Sequence, residues 1–144
     1  MDTRVWFISL MLGLQGPAKV DKPALSPAPT PGIGAIEGAL LYPACTGLPA
    51  DLKVCAENAK TGEVTCTQRF VDDGGYRYRL ELPKGEYALW AESKTARPGY
   101  RAYYSAAIPC GLSVDCKDHH PIPLLVEAGA LTTGISPADW FAGR

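Results

Sequence analysis

The chain has 144 residues, of which 47% are hydrophobic and 20% are charged, a composition typical of a folded domain. Lys and Arg number 14 against 15 Asp and Glu, so the formal net charge is −1. This balance argues against a nucleic-acid-binding protein or an electrostatic membrane anchor, because both need concentrated positive charge. The 13 prolines and 15 glycines leave little room for long helices and favour an all-β domain with many turns.

The N-terminus has the layout of a secretory signal. A short basic start precedes the apolar run at residues 5–14, and small residues follow at 16–18. Ten helical residues rise about 15 Å, roughly half of a hydrocarbon core, so the run is too short to span a membrane. We predict a signal peptide over residues 1–18, cleaved after Ala18, and a periplasmic or secreted protein. The alternative is that the run is the first strand or helix of the domain.

A proline-rich segment separates this signal from the rest of the chain. Five prolines occur between Pro17 and Pro31, and no apolar face repeats among them. Such segments prefer extended polyproline II geometry. We predict a spacer over residues 19–32 and a single folded domain over residues 33–144. Recognition of the prolines by a partner is the alternative, but no aromatic or basic flank supports it.

Alternating apolar residues predict strands along the whole domain. In chain order the predicted strands are 36–42, 52–56, 64–71, 76–82, 86–92, 100–108, 122–126 and 130–135. The pair 76–82 and 86–92 has the clearest alternation and is predicted to be a hairpin, because a Pro-Lys-Gly turn separates the two strands. Since no helical period appears in the domain, the pattern favours a two-layer antiparallel β-sandwich of seven to eight strands.

Five cysteines follow the predicted export signal, which makes disulfide pairing the default expectation. Cys55 and Cys66 flank a Lys-Thr-Gly turn, so a hairpin would place them almost opposite each other. Cys110 and Cys116 bracket a short loop that a local disulfide would close. We predict these two disulfides, with Cys45 left as a free thiol or an intermolecular bridge.

Strand parity leaves one conflict in the first of these pairs. Cys55 falls on the outer face of its strand, whereas Cys66 has the same parity as Val64 and Phe70. Directly paired residues must project from the same face of a sheet. Either a bulge at Gly62 shifts the register, or the faces of the third strand are reversed.

Zinc is the competing explanation of the second pair. Cys110, Cys116, His119 and His120 lie within eleven residues of one another. Structural zinc sites use closely spaced pairs such as C-x₂₋₄-C, and the intervals between cysteines here are longer. We therefore predict disulfides, no metal and no cofactor. The Asp-His-His-Pro sequence at 118–121 has two interpretations. It is either a turn that responds to pH or contacts a metal or, as we favour, a capped turn before a strand.

The segment at residues 73–91 reads DGGYRYRLELPKGEYALWA and resembles the D-G-x-Y-x-L-x-L-P-x-G-x-Y-x-L-x-A hairpin of carboxypeptidase regulatory-like domains. Residues 34–38, 58–62 and 98–100 resemble other parts of the same family, so the resemblance covers residues 33–108. The tail from residue 110 onward resembles small exported bacterial proteins with this domain. The resemblance implies a prealbumin-like (transthyretin-like) β-sandwich that acts in folding or interaction and has no catalytic residues.

No arrangement typical of an enzyme is recognisable in the sequence. A nucleophile elbow, a phosphate loop and a metallohydrolase helix are all missing. Hydroxyisourate hydrolases resemble the transthyretin fold but end in Tyr-Arg-Gly-Ser, whereas this chain ends in Trp-Phe-Ala-Gly-Arg. We predict a protein that is not an enzyme, and a small hydrolase is the least favoured alternative. The residue types able to carry chemistry are Cys45, Ser105, Ser113, Asp115, Asp118, His119, His120 and Asp139.

Binding is the favoured class of function. Trp90, Tyr103 and Trp140 are outward or terminal by strand parity, and exposed aromatic residues stack sugars or anchor protein partners. The structural alternative is that Trp90 packs beneath a loop and that Trp140 and Phe141 fold back to cover an open sheet edge or one end of the sandwich. We predict an interaction module for a protein or glycan of the cell envelope. A periplasmic inhibitor that uses the rigid 110–116 loop is the alternative.

Overall fold

The computed structural model describes Pro29 and residues 31–68, 70–72 and 75–141. Within these residues there are nine strands and one short helix, α1 (Ala107–Cys110). The predicted signal peptide and most of the predicted spacer lie outside the described residues. The strands are β1 (Ile33–Ala39), β2 (Lys53–Asn58), β3 (Val64–Gln68), β4 (Phe70–Asp72), β5 (Gly75–Pro83), β6 (Gly85–Glu92), β7 (Ala102–Tyr103), β8 (Leu124–Val126) and β9 (Leu131–Thr132).

The strands form two sheets. Sheet A has the order β4-β5-β1-β9, and sheet B has the order β3-β2-β6-β7 with β8 also paired to β6. The β1–β9 pair is parallel, and the other pairs are antiparallel. The predicted all-β sandwich is therefore confirmed, with nine short strands among the described residues in place of seven to eight.

One hydrophobic core lies between the two sheets. Each fully buried side chain of leucine or valine size stabilises the fold by about 1.5–3 kcal/mol. Both core tyrosines have hydrogen-bonded hydroxyls, because Tyr78 Oη donates to the carbonyl of Ile135 at 2.7 Å and Tyr87 Oη donates to the carbonyl of Pro83 at 2.8 Å. The buried core residues that the strands of the two sheets contribute are Ile36, Val54, Ala56, Tyr78, Leu80, Leu82, Tyr87, Leu89, Ala91, Ala102 and Val126.

Strands β5 and β6 do not form the predicted hairpin. β5 pairs with β1 and β4, whereas β6 pairs with β2, β7 and β8. The turn at Lys84 therefore carries the chain from sheet A to sheet B. The two strand positions are right and the pairing is wrong, because alternation identifies the buried face of a strand but not its neighbour.

Two other predicted strands are interrupted. The prediction at 64–71 covers β3 and β4, which belong to different sheets. The prediction at 100–108 is correct only at β7, since the chain then turns into α1. Alanine has low β propensity and Pro109 has no N–H to donate to a ladder, so this alanine-rich stretch is poorly suited to a strand.

The register of β2 and β3 resolves the parity conflict. Cys55 lies directly opposite Cys66, their Cα atoms are 4.0 Å apart, and the two residues form a disulfide. The pairing continues without a bulge from Lys53 to Glu57. The faces of β3 are therefore reversed, with Thr65 opposite the buried Ala56.

Asp51 connects the start of β2 to the chain that leaves β6. Its carboxylate accepts hydrogen bonds from Ser93 Oγ at 2.7 Å, from Thr95 Oγ1 at 2.7 Å and from the backbone N–H groups of Lys94 and Thr95. These bonds, first those from Ser93 and Thr95, hold the pKa of Asp51 well below its usual range.

We expect Asp51→Asn to reduce the sensitivity of the fold to acid. A lowered folded-state pKa contributes stability that is fully present above the unfolded value of about 3.9 and is lost as the pH falls below it. Urea unfolding between neutral pH and about pH 2 measures this dependence. The wild type is expected to lose stability more steeply below about pH 4 than the variant. Parallel pH profiles would contradict the assignment.

We also expect Gly38→Ala to destabilise the fold by about 2–4 kcal/mol. A Cβ at Gly38 would lie 1.7 Å from the carbonyl oxygen of Ile135, so the backbone of one segment must move. Gly62→Ala is the control, because its Cβ would meet nothing within 4 Å and only the φ of +72° is unfavourable. That control is expected to cost about 1 kcal/mol in urea unfolding. Equal losses of unfolding free energy in the two variants would show that the contact between Gly38 and Ile135 is not tight.

Candidate functional site

A covalently closed loop follows α1. The Cys110–Cys116 disulfide, with Cα atoms 5.9 Å apart, joins its two ends. Gly111 and Leu112 both have positive φ, at 101° and 55°, so the chain turns sharply as it leaves the helix. Val114, near the tip, is 84% exposed. The loop therefore holds an apolar side chain in solvent on a constrained backbone.

A groove of about 550 Å³ lies beside this loop. Its volume is within the range of small-ligand and side-chain pockets in proteins. The apolar part comes from the loop and from Phe141, which is 37% exposed. The lining residues are Leu112, Ser113, Val114, Cys116, Lys117, His119 and Phe141.

A buried carboxylate holds the histidine of this groove. Asp139 is 0% exposed, and its Oδ2 lies 2.7 Å from Nδ1 of His119. The same oxygen accepts a hydrogen bond from Ser105 Oγ at 2.5 Å. A carboxylate at Nδ1 favours the ring form that carries its proton there. Nε2 of His119 has no hydrogen-bond partner among the described residues, which leaves this atom available to a ligand.

The order of these three groups differs from that of a nucleophilic triad. In a triad the histidine lies between the hydroxyl and the carboxylate, whereas here Asp139 lies between Ser105 and His119. Ser105 is also fully buried. Ser113 lines the groove, but its hydroxyl contacts Cys116 Sγ at 3.3 Å. The arrangement therefore orients a histidine, and no hydroxyl or thiol is hydrogen-bonded to His119 among the described residues.

Trp90, one of the three aromatic residues predicted to form a surface, is 1% exposed. It projects from the outer face of sheet B, where it lies beside Cys55 and Tyr103 in the strand register. The Arg101 guanidinium covers its ring at 4.1 Å, and Nε1 donates to Glu92 at 2.8 Å. Neighbouring side chains therefore bury the Trp90 ring, although strand parity places it on the outer face of the sheet.

Trp140 is also 1% exposed and covers one end of the sandwich. Its Nε1 donates to the carbonyl of Leu41 at 2.8 Å, and its ring packs edge-on to Tyr42 and stacked on Tyr100. Tyr103 is half-buried. The three predicted residues therefore do not form an exposed aromatic surface in this structure.

The remaining candidate residues do not gather into a second site. Cys45 is exposed and unpaired in its loop. Asp118 caps the turn before Pro121, and the backbone N–H and ring of His120 lower the pKa of its carboxyl. Cys110 and Cys116 are joined to each other and so cannot be zinc-binding thiolates. The described residues contain no cluster of three metal-binding side chains and no helix able to span a membrane.

Sequence reasoning named Ser105, His119 and Asp139 only as separate candidates. Their contacts join residues 20 and 34 positions apart, and no local pattern encodes such contacts. The disulfide loop was predicted, but the groove beside it was not. Leu112, Val114 and Lys117 were missed as site residues because their role depends on where the C-terminal segment lies.

We expect Trp140→Ala to lower the free energy of unfolding by about 3–5 kcal/mol, because it removes a large core side chain. Tyr103→Ala should cost clearly less, since that ring is half-buried. Urea denaturation of the two variants beside the wild type measures both values. A Trp140 variant as stable as the wild type would mean that this ring does not close the sandwich.

Comparison with known proteins finds no matching family model and no matching curated protein. Among solved structures, a leucine-rich repeat protein from Bacteroides thetaiotaomicron matches with a TM-score of 0.35 and 14% sequence identity. The match covers 74% of this chain and 14% of that protein's chain. This chain is thus similar to a small part of a much longer protein, and no function follows from a likeness at that level.

Proposed function

We propose that this protein is an exported, non-catalytic β-sandwich module that binds a protein of the cell envelope. The binding surface is the face formed by the 110–116 loop and the groove beside it. The observation that carries the proposal is the exposed Val114 side chain on a loop closed by a disulfide. A constrained loop loses little conformational entropy on binding, so its apolar contacts contribute more fully to affinity.

A protein partner suits this face better than a glycan. Leu112, Val114 and Phe141 offer apolar contacts around a groove that also contains a histidine and a lysine. Buried apolar anchors with a few oriented polar groups are typical of protein interfaces. Sugar-binding sites rely on exposed aromatic faces, and Trp90 and Trp140 are buried.

Export is supported by the two disulfides and by the signal-like N-terminus. Disulfides persist in the periplasm and outside the cell and are rare in the reducing cytosol. The resemblance of residues 33–108 to carboxypeptidase regulatory-like domains agrees with an interaction role. An inhibitor is the second candidate, since a rigid loop with a protruding side chain also fits the active-site cleft of another protein.

Affinity capture with charge-bearing variants tests the proposal. Val114→Asp places a charge at the proposed contact, and Leu125→Asp places the same charge at another exposed apolar position, on β8. Both side chains are exposed, so we expect both variants to melt as the wild type does. The wild type and Leu125→Asp should retain one stoichiometric protein from the native envelope, and Val114→Asp should retain at least tenfold less.

Equal capture by all three proteins would overturn the proposed surface. Enrichment of glycan in place of protein would overturn the choice of partner. If the retained partner is an enzyme, its activity should fall on addition of the wild type when the protein is an inhibitor, and should not change when it is a simple adaptor. Turnover of a substrate by the purified protein would contradict a non-catalytic role.

A further inference from the structure

Strand β3 lies at one edge of sheet B. Among the described residues it pairs with β2 and with no other strand. The backbone N–H of Asn58 donates to the carbonyl of Glu63 at 2.9 Å, which places the ladder bonds of this hairpin at positions 63, 65 and 67. The short Cα distance between Cys55 and Cys66 agrees, because the closer pairs of an antiparallel ladder are the ones without hydrogen bonds.

The backbone groups of Val64, Cys66 and Gln68 therefore point away from β2. No hydrogen bond of their N–H or C=O groups is formed within the described part of the chain. Together they present three donors and three acceptors in the regular spacing of a strand. This row is a template on which a further strand can pair.

The other edge strands are less suited to such pairing. β4 and β8 have three residues each, and β7 and β9 have two, whereas β3 has five. β7 is followed on its outer side by a bridge between Tyr103 and Asp139. β3 contains no proline and no charged residue, which are common devices that protect an edge, and its disulfide fixes it to β2.

We propose that β3 pairs with β3 of a second copy of this chain, antiparallel and about a two-fold axis at Cys66. In that register Cys66 lies opposite its own counterpart, and Val64 lies opposite Gln68 of the other copy. Each of these three pairs exchanges two backbone hydrogen bonds across the edge. The interface joins two five-stranded sheets into one continuous sheet.

The strand that pairs with β3 comes from a second copy of the chain because the β3 edge is complementary to itself. A two-fold axis at position 66 places Thr65 against Thr67, a cross-strand pair that is favourable in sheets. β3 has no ionisable side chain, so no like charges of this strand oppose each other when two copies of it pair. An isologous contact of this kind closes on itself and yields a dimer rather than a fibre.

Sedimentation equilibrium of the purified Cys45→Ser protein tests the proposal, because that background excludes an intermolecular disulfide at the free thiol. We expect a reversible dimer whose fraction rises with concentration. Val64→Pro removes an outward-facing N–H and leaves the β2 ladder intact, while Val64→Ala keeps the N–H as a matched control. The dissociation constant should rise about tenfold or more in the proline variant only, since two symmetry-related bonds are lost.

Amide hydrogen exchange is a second test of the dimer, and it is measured on protein whose β3 sequence is unchanged. The amides of Val64, Cys66 and Gln68 should exchange fast in dilute solution and slow down as dimer forms. The amides of Thr65 and Thr67 should be protected throughout. A monomer at every concentration, or a dimer in which the three outward amides stay unprotected, would overturn the proposal. These results do not depend on whether the 110–116 loop binds a partner.

Discussion

The Asp139 carboxylate organises the end of the molecule on which the proposed function depends. A carboxylate with no solvent exposure must recover through hydrogen bonds what it loses in hydration. Asp139 does so by binding Ser105, which precedes α1, and His119, which follows the disulfide loop. It therefore holds the C-terminal segment, the helix and the groove in one arrangement. The neighbouring Trp140 then closes the sandwich with an apolar surface.

A second organising feature is a row of side chains across the outer face of sheet B. Cys66, Cys55, Trp90 and Tyr103 are consecutive partners in the register of four strands. Arg101 lies over the indole and completes the cover. An outer face built in this way has its own small packed layer, so a tryptophan at an outward position is stabilising rather than exposed.

Much of the fold follows from local chemistry, and much of the site does not. Alternation predicted most of the strands, and cysteine spacing predicted both disulfides, because each signal lies within a dozen residues. The predicted β5–β6 hairpin was wrong, and of the two alternatives for Trp90 the structure shows the buried one. Both outcomes depend on which strand or side chain lies alongside. The contact of Asp139 with Ser105 depends on the whole topology, and no short pattern in one sequence records it.

The turn at Lys84 has a consequence for how the chain matures. Neither sheet comes from one contiguous segment, because the chain changes sheet between β1 and β2, between β3 and β4, at the Lys84 turn and between β8 and β9. Strand β1 also gains its parallel partner only after β9 has been synthesised. A nascent polypeptide of this kind is slow to acquire tertiary structure before synthesis is nearly complete. Such a delay keeps the chain unfolded for longer, which suits the export that we propose.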